Sequence, residues 1–311
     1  MYPRTNTRLV KSGVSLFKDK NTVLYIMLIP GIIYYIAFHY MPMYGLLMAF
    51  KDFNIFLGFG ESPWVGLENF KILLGMDDIY RVVYNTLKLN LLNLFCGFPM
   101  PIILALMINE VKNRHFNKIS QSLLYLPHFF SWVIAGSIIS AVLSTSTGMV
   151  NNIIKFLGHE PIYFLGDEGW WVFTYVISGI WKDMGWNSII YVAAISNIDP
   201  QLYDAAKVDG ANRIHSLFNV TLPSIAGTIC TMLILQLGKL LTIGFEHPYV
   251  LQNPMVYKVS EVISTYIYKI GIEKAQYSLT TAMGLFQSVV GLIMIFLANA
   301  LIKKMGEEGI L

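Results

Sequence analysis

The chain has 311 residues, of which 55% are hydrophobic and only 13% charged, with a mean hydropathy of +0.55. A soluble domain carries about 25% charged residues, so a surface that faces water all round is excluded, and a formal net charge of +3 is too weak to point to nucleic acid. Cys96 and Cys230 both lie in apolar runs, which gives neither a disulfide framework nor a Cys/His metal spacing.

A helix needs about 20 apolar residues to cross about 30 Å of hydrocarbon. In chain order the runs that meet this need are residues 23–41, 82–108, 119–143, 171–195, 222–243 and 279–302, which predicts an all-α membrane protein of six transmembrane helices. The first run follows basic residues, but it is too long for a signal-peptide core and no small-x-small cleavage pattern follows it, so it reads as a retained helix. Residues 41–81 contain Gly58, Gly60, Pro63 and Gly66, which predict turns and short re-entrant or interfacial pieces. In the second run Pro99 and Pro101 follow Gly97 and predict a break or kink. Residues 249–277 predict a short helix ahead of the last run. Within that run Gly284, Ser288 and Gly291 form a small-residue stripe suited to helix packing. Trp64, Trp170 and Trp171 fall in or beside outer loops, where an interfacial aromatic belt explains them.

Lys and Arg set the orientation. The N-terminal tail holds Arg4, Arg8, Lys11, Lys18 and Lys20; the second loop holds Lys112, Arg114 and Lys118; the fourth holds Lys207 and Arg213; the C-terminus holds Lys303 and Lys304. The other three loops are longer, yet carry only Lys51, Lys71, Arg81, Lys155, Lys258, Lys269 and Lys274. Both termini are therefore expected in the cytoplasm, with a tail over 1–22, one membrane domain over 23–302 and a second tail over 303–311.

Lys88, Lys182, Asp183 and Lys239 fall inside the predicted spans. Each such charge costs about 2.5–3.5 kcal/mol at mid-membrane, so the fourth span pays about 5–7 kcal/mol against about 3–5 returned by its apolar residues. That helix should sit inside a bundle or line a wet cavity. Lys182 and Asp183 point about 100° apart on a helix, so each is expected to find its partner elsewhere. Either a polar substrate path or an interhelical pair accounts for them, and Lys88 and Lys239, nearer the span ends, can also snorkel. As path residues, Lys88 and Lys239 would favour an acidic oligosaccharide such as a uronide.

The segment 199–223 is the most legible. Asp199 suits a helix N-cap and Pro200 the first helical position. Leu202, Tyr203, Ala205 and Ala206 favour a short helix, and Gly210 can take the left-handed conformation that ends it. A second helical stretch leads to Pro223. Small Ala205 and Ala206 permit close approach of another surface, with Asp204 and Asp209 as acceptors beside them.

Asp204-Ala205-Ala206-Lys207-Val208-Asp209-Gly210-Ala211, with Phe218 and Leu222-Pro223, resembles the EAA loop of binding-protein-dependent ABC importer permeases; Asp204 stands where that pattern usually has Glu. Ile29-Pro30-Gly31, Pro42-Met43-Tyr44-Gly45, Phe50-Lys51-Asp52-Phe53-Asn54, Pro63-Trp64-Val65-Gly66-Leu67, Tyr125-Leu126-Pro127-His128-Phe129 and Ala105-Leu106-Met107-Ile108-Asn109-Glu110-Val111 extend the resemblance, over nearly the whole chain, to the polysaccharide branch of the maltose-transporter permeases. The resemblance implies the type I importer transmembrane fold in a bacterial plasma (inner) membrane, with half of an oligosaccharide pathway formed by this chain. It also implies a second permease subunit, a cytoplasmic ATPase dimer docked on a coupling helix around Asp204, Ala205, Ala206, Asp209 and Gly210, and an extracellular or periplasmic solute-binding protein. The chain has no G-x-x-x-x-G-K-[ST], so ATP and Mg are expected to be used by the partner subunits, with no cofactor or metal held here and no enzyme activity of its own. Two other readings differ in class. An ion-coupled secondary transporter would use Lys182 and Asp183 but leaves the loop without a task, and a membrane-embedded enzyme would need an H-E-x-x-H or G-x-S-x-G that the sequence lacks. EAA loops also serve permeases for phosphate, amino acids, peptides and metals, so the sugar rests on the family branch.

Overall fold

The computed structural model describes residues 22–304, so the tails over 1–21 and 305–311 lie outside the described residues. Among those described the chain is helical, with one isolated antiparallel bridge between Lys51 and Trp64. It divides into two compact units, Met1–Met48 and Ala49–Leu311. The first unit, where described, is the greater part of one helix, α1 (Leu24–Phe50). The second holds α2 (Gly58–Glu61), α3 (Glu68–Leu74), α4 (Asp77–Glu110), α5 (Arg114–Phe129), α6 (Trp132–Leu143), α7 (Met149–Phe156), α8 (Glu168–Ser196), α9 (Pro200–Val208), α10 (Arg213–Ser224), α11 (Ala226–Gly238), α12 (Glu246–Leu251), α13 (Tyr257–Ser260), α14 (Ile263–Tyr268) and α15 (Tyr277–Lys304).

Three of these, α1, α4 and α15, are long and apolar enough to cross a membrane. Two more candidates are bent pairs, α5 with α6 at 103° and α10 with α11 at 61°. The reading of 119–143 as one unbroken helix is corrected: Pro127 offers no N–H, Phe130 N closes a tight turn on Pro127 O at 3.2 Å, and Ser131 caps a new helix through Oγ, 3.3 Å from Ile134 N. The fifth run is also broken, at Ile225, and its second helix stops at Gly238 rather than 243.

Of the break or kink expected at Pro99, the break does not end the span. α4 runs through Pro99 as a 34-residue helix because a π turn, Asn93–Gly97, comes first. Phe98 N donates to Asn93 O, five residues back instead of four. This register widens the helix where the Pro99 ring would meet the carbonyl four residues before it. The same device recurs twice. Met41 N reaches Ile36 O ahead of Pro42, and Leu222 N reaches Leu217 O ahead of Pro223. In all three places a proline stands two residues after a π turn, whose wider register keeps the backbone groups paired.

Packing proceeds through close backbone approaches more than through one core. α4 and α8 meet at Ala105, Tyr191 and Ile195, with Ile225 completing the cluster. At Gly185 on α8 an added Cβ would lie 2.0 Å from the Leu124 carbonyl oxygen of α5. Of the small-residue stripe on α15, only Gly291 packs as expected, since a Cβ added there would lie 3.0 Å from Gly238 O; one added at Gly284 would meet nothing within 4 Å, and Ser288 is exposed. Trp171 departs from the interfacial reading as well: it is fully buried and its indole N–H donates to Leu251 O at 2.9 Å, whereas Trp64 is 59% exposed.

The segment between α11 and α15 forms several short helices clipped to the first turns of α4. Asn85 Nδ2 donates to Lys258 O and Glu261 O, and Thr86 Oγ1 accepts from Ile263 N at 3.0 Å. Buried Glu261 takes Arg81 at 2.7 Å and Lys269 at 3.0 Å, and that hydrogen bond holds the Lys269 ammonium above its usual range. Gly185→Val should cost about 1–3 kcal/mol through overpacking against backbone that cannot move aside, read as a lower unfolding midpoint in detergent. An unchanged midpoint would show that α5 and α8 are not in contact there.

Candidate functional site

Two features stand out along α8, a polar cavity beside its middle and an exposed helical loop at its C-terminal end. α8 itself has 29 residues, about 43 Å at about 1.5 Å per residue, enough to cross a bilayer. Its inward residues include Thr174, Ser178, Lys182 and Ser188, all buried, so its polar side is turned into the bundle.

The adjacent charges Lys182 and Asp183 do not pair with each other. Both go to one residue, His128, on the turn that breaks α5 from α6. Lys182 Nζ donates to His128 O at 2.9 Å, and Asp183 Oδ1 lies 2.9 Å from His128 Nδ1. The helix break leaves that carbonyl without a helical donor, and the ammonium supplies one. The His128 ring stacks on Trp186 at 4.6 Å, and the Lys182 ammonium sits 5.2 Å from the Trp132 ring centre. Lys182 is 6% exposed and lines no cavity, whereas Asp183 is partly exposed at the cavity wall.

The cavity, of about 310 Å3, lies among α4, α8 and α11 and opens into an adjoining space of about 410 Å3 bounded by Trp132 and residues 242–247. Asn93, Tyr175, Asp183, Gln236, Lys239 and His247 line both. His247 is buried between the rings of Trp132, 3.6 Å away, and Tyr175, 4.0 Å away, with its Nε2 3.0 Å from Ser178 Oγ. Trp171 continues the stack beyond Tyr175 at 5.3 Å. Among the intramembrane charges expected from sequence, the structure thus brings Asp183 and Lys239 to one cavity. It places Lys182 behind the wall, and half-buried Lys88 on neither space. Sequence reading missed the amides and His247. The signal was present as polar residues three or four apart within apolar runs, namely Asn90/Asn93, Asp183/Asn187 and Gln236/Lys239, each pair on one helix face.

The loop after α8 is a helix, a turn and a helix. Asp199 Oδ1 accepts from Gln201 N at 2.9 Å and starts α9. Gly210, at φ +78°, ends it, with Ala211 N reaching back to Ala206 O at 2.9 Å. Asn212 then caps α10 through His215 N at 2.8 Å. Tyr203 Oη lies 3.0 Å from Thr221 Oγ1, which ties α9 to α10 as one body. No residue of α9 is buried, and Val208, Ile214 and Phe218 are exposed. Ala205, Ala206, Asp209 and Gly210 line a shallow cleft of about 430 Å3 between α9 and α10; Asp204 instead pairs with Lys207 at 2.9 Å on the outer side.

Helices long and apolar enough to cross a membrane, bent around a polar cavity, suit a membrane transport protein. The chain matches, over residues 73–307, the model of the family described as binding-protein-dependent transport system inner membrane component, and it belongs to that family. It is 47% identical over 287 residues to the polygalacturonan/rhamnogalacturonan transport system permease protein YteP of Bacillus subtilis (strain 168), with 92% of this chain and 89% of that protein covered. It is 28% identical over 298 residues to the arabinooligosaccharides transport system permease protein AraP of the same organism, with 94% and 93% covered. Its fold matches, at a TM-score of 0.85 and 42% identity, a chain of a bacterial alginate ABC transporter solved in complex with an alginate pentasaccharide-bound periplasmic protein; the match covers 93% of this chain and 97% of that one.

If Lys182 holds the α5–α6 turn, Lys182→Met leaves the His128 carbonyl unpaired at a cost of about 1–3 kcal/mol. The unfolding midpoint in detergent should fall for this variant and stay unchanged for Lys88→Met; equal behaviour of the two would remove the distinction drawn between them.

Proposed function

We propose that this chain is a permease subunit of an ATP-driven importer for oligosaccharides in a bacterial plasma membrane. The observation that carries the reading is a cavity rich in amides and rings, beside the middle of a helix that leads directly into an exposed helical loop. Amide groups exchange hydrogen bonds with sugar hydroxyls, and rings such as Phe98 and Tyr191 offer apolar surface to sugar faces. The relatives named for oligosaccharide and polysaccharide transport support the substrate class.

In this reading α8, fourth in chain order, completes six spans, and both termini are cytoplasmic. A second permease subunit forms the other half of the pathway, and a solute-binding protein delivers the sugar from outside. A cytoplasmic ATPase dimer grips α9 around Asp204, Ala205, Ala206, Asp209 and Gly210, and ATP and Mg are used there. ATP-driven closure of the ATPases moves α9, and through α8 the cavity walls, between inward-open and outward-open states. Asp183 and Lys239 face the sugar path; Lys182 and Lys88 do not.

The complete importer reconstituted in proteoliposomes should take up oligosaccharide only with ATP, and vanadate should stop it. Gly210→Val has open space for its side chain, since nothing lies within 4 Å, so its effect is on backbone conformation alone. Left-handed geometry costs an L-residue about 1–2 kcal/mol, more for a β-branched one, which lowers the population of the native turn about 5–30-fold, and the sugar moved per ATP hydrolysed should fall with it. Uptake driven by an ion gradient without ATP would refute the transport mechanism, and a Gly210→Val importer with normal coupling would refute the role of the turn.

A further inference from the structure

We propose that Lys239 is the residue that reads the carboxylate of an acidic, uronate-bearing oligosaccharide in the cavity, and that the turn carrying it is built for this purpose. The inference rests on the transport reading above and adds to it the charge class of the sugar and the group that selects it.

The backbone under Lys239 is unusually well held. Asn90 of α4 donates through Nδ2 to Leu240 O at 2.7 Å and to Lys239 O at 3.3 Å. Gln287 of α15 donates to Leu241 O at 2.5 Å, and Thr242 N closes on Lys239 O at 2.8 Å. Leu240 and Leu241 are buried on either side of these bonds. Two other helices thus fix the position from which the Lys239 side chain leaves the backbone.

The side chain itself is uncommitted. Lys239 is exposed, lines both spaces of the cavity, and its ammonium makes no ion pair and no hydrogen bond among the described residues. Its surroundings contrast with those of the other charges within predicted spans. Lys182 is committed to the His128 carbonyl, and Asp183 holds the His128 ring through Oδ1 while keeping its place on the cavity wall. Glu246 lines the adjoining space without pairing to Lys239. A cation held free in a polar cavity, on a backbone pinned from two sides, is preorganised for an anionic partner that comes and goes. Compensation of the α11 C-terminus would account for a lysine here, but it would not require two amide side chains to fix the turn. The amides Asn93, Asn187 and Gln236 around it suit hydroxyls, so the partner that fits the part of the wall around Lys239 is a sugar carrying a carboxylate.

The test uses the complex of both permease subunits with the ATPases in detergent, with the solute-binding protein omitted so that its own selectivity does not enter. Binding of trigalacturonate is compared with binding of its methyl ester, which keeps the hydroxyls and removes the charge. The wild-type complex should prefer the acid by about tenfold, the size of one charge-assisted hydrogen bond. Lys239→Gln should abolish that preference by weakening the acid alone, and Lys239→Arg should keep it. Equal weakening of both probes, an unchanged preference in Lys239→Gln, or no preference and no binding in the wild type would each overturn the assignment. Failure of the transport reading is separately visible, as absence of any ATP-dependent oligosaccharide uptake by the complete wild-type importer.

Discussion

The interaction on which the rest of the structure depends is the double tie of α8 to His128, at the helix break between α5 and α6. A turn of 103° between two helices frees carbonyls that need donors from elsewhere. Here the His128 carbonyl takes the ammonium of Lys182, and the His128 ring takes the carboxylate of Asp183. Two liabilities, a broken backbone and two charges on one helix, the first buried and the second half-exposed, satisfy one another. Leaving the Lys182 ammonium unpaired at this buried position would cost several kcal/mol, which its bond to the His128 carbonyl offsets.

From this junction the functional geometry follows. Because α8 is anchored at its middle to the α5–α6 turn, its polar side faces α4 and α11 and the three helices enclose a cavity. Its C-terminal end runs through Asn197 into the Asp199 cap and α9 with no flexible spacer. Gly185 brings α8 against the α5 backbone one turn from the charges, and Tyr203 with Thr221 joins α9 to α10. A push on α9 is therefore delivered to a rod that carries the cavity wall, in keeping with the proposed coupling through rigid elements.

Much of this was legible in the sequence, and the parts that were not share one cause. Local rules read the caps at Asp199 and the left-handed turn at Gly210 correctly, because those depend on neighbours along the chain. The apolar runs marked where helices lie, but run length carries no information about bends: residues 119–143 read as one helix although Pro127 and Ser131 both signal a stop and a restart. Pro99 misled in the opposite direction, since a shift of hydrogen-bond register at Asn93 absorbs it. Trp171 sat where a belt residue belongs, and only the distant Leu251 carbonyl explains its burial. The partner of Lys182, 54 positions away in the chain, was likewise invisible to any local rule.

The sidedness of α8 tests the central claim most directly. α8 is less apolar than α1, α4 and α15, so its crossing rests on the bundle around it rather than on its own hydropathy. With Cys96 and Cys230 replaced by serine, single cysteines at Glu168 and at Ala206 are exposed in turn to a membrane-impermeant thiol reagent, in intact cells and in inside-out vesicles. Glu168→Cys should react in intact cells and Ala206→Cys only in inside-out vesicles. Reaction of both from the same side would contradict an α8 that spans the membrane and an α9 within reach of a cytoplasmic ATPase.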